Sequence, residues 1–191
     1  LELLTLSEAC ERIRNQASTP RAAVLTFDDL GELFRLHALP VLQAEAAPAT
    51  GFAVTAPLTG RTPVDLPGGF QPLAADALRD LAGAGIELGS HTVTHRELTG
   101  LSDEDATQEL VESRRMLEDC LGQTCRALCY PRGCFSQRVR EAVRQAGYES
   151  ACTTLRGAVH GPADLLALSR IRAHGGRTGL KLRYTTTRLF D

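Results

Sequence analysis

The sequence predicts an α/β fold in which parallel strands alternate with helices. Short apolar runs alternate with amphipathic stretches along the chain, which is the pattern of strands joined by helical crossovers. Polar clusters follow three of these runs, and folds of this class place their chemistry at the C-terminal ends of parallel strands. The pattern alone leaves an open doubly wound sheet and a barrel as alternatives.

Length and composition indicate an ordinary globular protein. The 191 residues can bury one core, and we expect a single domain over 1–191 with its core at about 20–172. A net charge of -2 and the absence of tryptophan argue against a nucleic-acid-binding surface. No apolar run reaches the roughly 18 residues that suggest a membrane-spanning helix.

In the first half of the chain, apolar runs, glycines and prolines mark the boundaries of the predicted strands, helix and loop. The run 22–27 is continuous, as expected for a strand covered on both faces. Leucines at helical spacing predict a helix over 32–46, in which Pro40 introduces a kink. A strand is predicted at 51–55, and the Pro- and Gly-rich stretch 57–69 is typical of a loop.

The second half continues the alternation. Apolar spacing predicts a helix over 72–82, and Ser102 and Ser136 are placed to cap two further helices. The remaining predicted strands are short apolar runs at 86–90, 128–130, 149–153 and 165–171. The pattern therefore predicts six strands in all.

The six cysteines do not have the spacing of a zinc ribbon or a redox pair. We expect free thiols that pack as small hydrophobic side chains, with a metal or redox cluster as the alternative. Six cysteines without a recognisable disulfide framework indicate a protein of a reducing compartment or a trimmed exported domain. The sequence begins with Leu1 rather than methionine, so we expect a processed or trimmed chain without a visible signal peptide.

Two polar clusters contain residue types that bind metals. Asp28 and Asp29 follow the first predicted strand, and adjacent carboxylates repel each other unless a cation or hydrogen-bond donors compensate. His91 and His95 follow the strand at 86–90, and their spacing lets both imidazoles reach one cation from a helical turn. The alternatives are a turn or helix cap at the aspartates and ordinary polar histidines.

One carboxylate and two imidazoles leave coordination positions open, which is typical of a catalytic metal site. Imidazole suits zinc, cobalt, nickel and iron. Non-haem iron oxygenases use the same ligands, but usually on antiparallel double sheets, which the strand–helix alternation contradicts. A third cluster, 130–133, could direct the Arg132 N–H into a cleft as an oxyanion donor, with a plain turn as the alternative.

The three clusters TFDD (26–29), SHTVTH (90–95) and YPRG (130–133) resemble, in order and in position, the motifs of the polysaccharide deacetylase family. This family comprises the NodB-homology esterases and de-N-acetylases, of the carbohydrate esterase family 4 type. The resemblance extends over roughly residues 20–172. It implies a distorted (β/α) barrel with about seven parallel strands. The additional strand is then expected within 1–6, or upstream of the chain.

The resemblance also implies roles for individual residues. Asp28 is expected to be the general base, while Asp29, His91 and His95 hold a divalent metal, commonly zinc, with cobalt or nickel as alternatives. The metal is expected to bind the acetyl oxygen and the attacking water, and the Arg132 N–H to stabilise the oxyanion.

The implied reaction removes N-acetyl groups from a sugar or glycan. The same oxyanion chemistry serves O-acetyl esters, so an O-acetyl esterase is the nearest alternative. A catalytically degenerate glycan-binding domain is the other alternative. Members of the family are exported, envelope-associated or cytoplasmic.

The chain departs from the family pattern in several places. Leu30 replaces a usual glycine, which is expected to narrow the cleft or shift the turn. Cys129 replaces an arginine that often orients the base, and the Asp/Trp motif is missing. We expect Arg170, at the end of the last strand, to supply the missing positive charge. His174 is the first candidate for the general acid and His160 the second.

Overall fold

Parallel strands and helices alternate along the computed structural model, which describes residues 1–16, 22–63, 66, 70–158 and 161–173. The strands within these residues are β1 (Glu2–Leu4), β2 (Ala22–Val24), β3 (Thr26–Phe27), β4 (Ala49–Ala53), β5 (Ile86–Ser90), β6 (Ala127–Cys129), β7 (Ser150–Arg156) and β8 (Leu168–Arg170). The α-helices are α1 (Leu6–Arg14), α2 (Leu39–Ala44), α3 (Ala75–Gly83), α4 (Asp103–Leu121) and α5 (Gln137–Gln145).

All described strand pairings are parallel. Strands β3 to β8 form one six-stranded sheet in sequence order, and β1 pairs with β2. Strands β2 and β3 are two parts of the run 22–27, interrupted at Leu25, whose carbonyl accepts a hydrogen bond from Thr50 N at 2.9 Å. The sheet curls into a half-barrel, which confirms the predicted α/β barrel type. Strand β1 lies within residues 1–6, where the resemblance allowed an additional strand.

Both faces of the sheet are covered. The main core lies on the face that α3, α4 and α5 cover, and it includes Leu81, Leu110 and Val143. On the other face, Leu6 and Cys10 of α1 pack in a second core with residues of β4, β6, β7 and β8. This double coverage explains why several strands are continuous apolar runs. The single-domain organisation over 1–191 remains a prediction.

Helix α1 is attached to the sheet by Glu87 of β5. Its carboxylate accepts hydrogen bonds from Leu6 N at 2.8 Å and from Thr50 Oγ1 at 2.6 Å. Ser7 N also donates to this carboxylate, at 3.2 Å. A negative charge at a helix N-terminus is stabilised by the unpaired N–H groups and the helix dipole. Glu87 therefore fixes α1 against the face of the sheet opposite to the one that α3, α4 and α5 cover.

The helix boundaries follow the local signals in the sequence. Ser102 Oγ accepts a hydrogen bond from Asp105 N at 3.1 Å, and Ser136 Oγ accepts one from Val139 N at 3.3 Å, so both predicted caps are confirmed. Near Pro40, a π-helical turn over Phe34–Ala38 passes into α2. Among the described helices, none combines the length and apolar character required to cross a membrane.

Leu30 packs into the main core, and the expectation that it narrows the cleft is wrong. Its side chain is only 1% exposed. A Cβ placed on Gly51 of β4 would lie 2.7 Å from Leu30 Cδ1. Glycine on the neighbouring strand therefore leaves the space that Leu30 occupies in the core.

All six cysteines are free thiols, as expected from their spacing. Burial raises the pKa of Cys10 to about 11 and the pKa of Cys125 and Cys152 to about 12. These thiols stay neutral at physiological pH and pack like small apolar side chains.

Candidate active site

The sheet topology brings the polar clusters to one edge. Asp28 and Asp29 follow β3, while His91 and His95 follow β5, and only β4 lies between these strands. Because the strands are parallel, their C-terminal ends share one edge of the sheet. The third cluster follows β6 and Arg170 ends β8, so every described candidate residue lies at this edge.

Three potential metal-ligand atoms converge there. Asp29 Oδ1 lies 3.4 Å from His91 Nε2 and 3.4 Å from His95 Nε2. The two imidazoles are almost completely buried, whereas the Asp29 side chain is 35% exposed. Asp29 Oδ1 is itself buried and accepts no hydrogen bond from the described residues. The three potential ligand atoms are thus buried together, while the rest of the Asp29 side chain borders solvent.

The tautomer of His91 follows from its other ring nitrogen. Nδ1 lies 2.7 Å from the carbonyl oxygen of Cys129. A carbonyl oxygen only accepts hydrogen bonds, so Nδ1 carries a proton. In the neutral ring the Nε2 lone pair is then directed towards Asp29, which is the orientation that a metal ligand requires.

The three residues fit one divalent cation. In a tetrahedral zinc site with bonds of 2.0–2.2 Å, neighbouring ligand atoms are about 3.3–3.6 Å apart. The separations of Asp29 Oδ1 from the two Nε2 atoms, both 3.4 Å, fall within that range. Two imidazoles and one carboxylate form a mixed donor set that suits zinc and similar ions, and the open side leaves coordination positions for other ligands.

Backbone strain is concentrated in the three clusters. Among the described residues, six other than glycine have a positive φ, and four of these belong to the clusters. They are Asp29 (51°), Thr92 (65°), His95 (64°) and Arg132 (57°). This left-handed conformation is unfavourable for residues with a Cβ and persists where the surrounding structure imposes it, often at functional sites.

A buried carboxylate holds the turn between the two histidines. Glu109 Oε2 of α4 accepts hydrogen bonds from Val93 N and Thr94 N, both at 2.8 Å, and Oε1 accepts one from Thr94 Oγ1. Glu109 is not among the site residues predicted from the sequence. It could have been found because its carboxylate lies on the buried face of an amphipathic helix, beside Leu110 and one turn before Ser113.

Arg170 ends β8, the edge strand on the other side of the six-stranded sheet from β3, and its side chain contacts Asp28. Its Nη1 and Nη2 donate to Asp28 Oδ1 and Oδ2, each at 2.7 Å, and its Nε donates to Thr153 O at 2.8 Å. Partial burial alone would raise the pKa of Asp28, but the hydrogen bonds and charge of Arg170 outweigh it and lower that pKa. Asp28 is therefore ionised at neutral pH.

A second group of potential ligands, Asp28, His91 and Cys129, is less suited to a cation. Arg170 Nη2 lies 3.2 Å from Cys129 Sγ, so a positive charge already occupies this side. Burial and the nearby Asp28 charge raise the pKa of the Cys129 thiol well above its ordinary value. A neutral thiol beside a guanidinium is a poor metal ligand.

The remaining candidates are only partly described. Arg132 lies in the turn after β6, followed by Gly133 with φ of +73°. A Cβ on Gly133 would lie 2.2 Å from Thr154 Oγ1, so this turn requires glycine. The role of the Arg132 N–H remains a prediction. His174 and His160 lie outside the described residues, and the identity of the general acid also remains a prediction.

Comparison with known sequences identifies relatives across most of the chain. The profile of the family described as polysaccharide deacetylase matches residues 15–151. The putative polysaccharide deacetylase YxkH of Bacillus subtilis (strain 168) is 26% identical over 179 residues, which make up 93% of this chain and 61% of that protein. The chain thus spans about three fifths of the length of this curated relative.

Solved structures share the fold. The Streptococcus pyogenes deacetylase PplD, in complex with acetate, has 26% identity and a TM-score of 0.85, over 96% of this chain and 78% of that one. IcaB from Ammonifex degensii has 20% identity and a TM-score of 0.81, over 100% and 82% of the two chains, and supports the fold alone. Because the profile matches well over half of its residues, the chain belongs to the polysaccharide deacetylase family.

Proposed function

We propose that the chain is a metal-dependent hydrolase that removes acetyl groups from an N-acetylated glycan. The observation that carries this proposal is the convergence of Asp29 Oδ1 with Nε2 of His91 and Nε2 of His95 at the edge that also presents Asp28. Membership of the polysaccharide deacetylase family supports the reaction class. The acetate bound to PplD supports it as well, because acetate is the product of deacetylation.

Asp29, His91 and His95 would hold the metal, and we propose zinc because the donor set combines two imidazoles with one carboxylate. A bound divalent cation supplies Lewis acidity and lowers the pKa of coordinated water. The exposed side of Asp29 gives substrate and water access to these residues.

Asp28 is proposed as the general base. Arg170 orients both of its carboxylate oxygens and keeps it ionised, so that it can accept a proton from water as the water oxygen attacks the acetyl carbon. The Arg132 N–H is proposed to donate a hydrogen bond to the oxyanion formed at that carbon. The C–N bond then breaks, acetate is released, and the amine leaves with a proton from a general acid, for which His174 remains the candidate.

Glu109 is proposed as a positioning residue for the two histidine ligands. It accepts the N–H groups of Val93 and Thr94, which lie between the ligands. The carbonyl groups of the same turn accept hydrogen bonds from Thr55 N at 3.1 Å and Ala56 N at 2.9 Å, at the end of β4. Hydrogen bonds from both α4 and the end of β4 therefore hold the turn. The directions of the two imidazoles depend on the conformation of this turn.

Asp28→Asn and His91→Ala test the proposed chemistry in different ways. Asp28→Asn should keep about one metal ion per chain but lower kcat for acetate release from chitooligosaccharides by roughly 10²–10⁴-fold, because the base is lost. His91→Ala should lose both metal and activity, because a ligand is lost. His37→Ala, at an exposed histidine away from the strand ends, is the matched control and should change neither quantity.

Metal content by elemental analysis and acetate release are measured on the same samples. A wild-type protein that binds no zinc when zinc is supplied would contradict the proposal, as would an Asp28→Asn variant with the wild-type rate. Faster acetate release from acetylated xylan than from chitooligosaccharides would reassign the chain as an O-acetyl esterase.

Arg170→Lys should lower kcat by about 10–100-fold while metal content and KM stay close to wild type, because an ammonium cannot replace both guanidinium hydrogen bonds to Asp28. Arg172→Lys, two residues along the chain and exposed, is the matched control. Steady-state kinetics and elemental analysis measure these effects. An unchanged kcat in Arg170→Lys would remove Arg170 from the proposed mechanism.

Glu109→Gln should weaken zinc binding by about 10–100-fold, because the neutral amide lacks the negative charge and offers one acceptor oxygen to three donors that now share two. Competition with a chromogenic chelator measures the zinc Kd. Glu104→Gln, exposed on the same helix, should keep the wild-type Kd. Thr94→Val removes only the hydroxyl hydrogen bond and provides a milder variant. Wild-type zinc affinity in a folded Glu109→Gln protein would contradict the positioning role.

A further inference from the structure

A basic depression lies at the opposite end of the strands from the candidate active site. It is open to solvent, has a volume of about 600 Å³ and is bordered by Arg14, Arg140, Arg144 and Glu149, with apolar walls that include Leu165. Glu149 directly precedes β7, and Leu165 lies shortly before β8. Because the site residues follow their strands, whereas these residues precede theirs, the two regions are at opposite ends of the sheet.

The connection between β7 and β8 explains why the depression exists. In its described part, this connection contains only a short 3₁₀ turn over Pro162–Asp164, whereas α3, α4 and α5 cover other crossovers of the sheet. Within the described residues, no further helix fills the space beside α5. Arginines from α1 and α5 border the space instead.

Positive side chains outnumber negative ones around the depression. Three arginines and one glutamate leave a net charge of +2. Arg14 pairs with Glu149, with Nη2 and Oε2 2.8 Å apart. Arg144 pairs with Glu141 on the same helix, and both side chains are about half exposed, so this ion pair is weak. Arg140 forms no ion pair with any residue that the structure describes.

Arg140 also has an unsatisfied hydrogen-bond donor. Its Nη2 donates to Ala163 O, which fixes the guanidinium at the wall of the depression. Its Nε–H is buried and has no hydrogen-bond partner among the described residues. A buried donor on a charged group destabilises the protein unless an acceptor is present. The Arg140 side chain lines the depression, so an oxyanion bound there would lie against its guanidinium group.

We propose that the basic depression is a binding site for a phosphate monoester. A phosphate monoester carries about -1.5 to -2 charges at pH 7, which matches the net charge of +2 at the site better than a single carboxylate does. Arg140 and Arg144 bind the phosphoryl oxygens, since guanidinium groups can donate two hydrogen bonds in parallel. The apolar wall at Leu165 contacts the carbon skeleton of the ligand. This inference does not depend on the proposed hydrolase activity.

Titration with glucose 6-phosphate tests the site directly. The probe is added to the whole chain while the arginine Nε–Hε signals are followed by ¹H–¹⁵N NMR spectroscopy. The Arg140 signal, assigned by its disappearance in Arg140→Lys, should shift and saturate, because the phosphoryl group binds the guanidinium that carries this N–H. Inorganic phosphate should bind at the same residues but more weakly, because it makes no apolar contact. Glucuronate should bind more weakly than glucose 6-phosphate.

Matched variants distinguish a specific binding site from non-specific electrostatic attraction. Arg140→Gln and Arg144→Gln should each weaken glucose 6-phosphate binding by about tenfold or more. Arg115→Gln, exposed on α4, makes the same change in net charge away from the depression and should not alter binding. Arg144→Gln serves as the test if Arg140→Gln fails to fold. An absence of saturable shifts, equal weakening by Arg115→Gln, or tighter binding of glucuronate would overturn the proposal.

Discussion

The geometry of the candidate metal centre depends on the contact between Glu109 and the turn that carries the histidines. Two backbone donors of that turn are directed at one carboxylate oxygen, which can accept both. Thr92 and His95 adopt left-handed conformations on either side of these donors, and such conformations need external support. Glu109 lies on the same buried face of α4 as Leu110 and Leu117. Packing of this helix against the sheet therefore also determines where the imidazole nitrogens point.

The curvature of the sheet determines which side chain contacts Asp28. Strands β3 and β8 are the two edges of the six-stranded sheet, and a flat sheet would keep them far apart. Arg170 of β8 nevertheless contacts Asp28 and also donates to Thr26 Oγ1 of β3 at 3.1 Å. The ion pair thus spans the open side of the half-barrel. An arginine from the last strand thus makes the contact with Asp28 that the family resemblance expects from an arginine at the position of Cys129.

Local signals in the sequence predicted most of the fold, because apolar runs and caps such as Ser102 act within a few residues. The approach of the aspartate pair to His91 and His95 was predictable because parallel strands end at a common edge, whereas the choice of Asp29 over Asp28 came from the family resemblance. The position of Leu30 was not predictable, since it depends on the absence of a side chain at Gly51 on a neighbouring strand. Glu109 was missed because acidic residues on helices usually face solvent, and its partners lie on another element.

The central claim is that Asp29, His91 and His95 bind one divalent metal ion. Anomalous diffraction at the zinc edge from crystals of the zinc-loaded chain measures this most directly. We expect one strong peak, at about 2.0–2.2 Å from Asp29 Oδ1 and from Nε2 of each histidine. A map without a peak between these three atoms, or with zinc bound only elsewhere, would contradict the central claim.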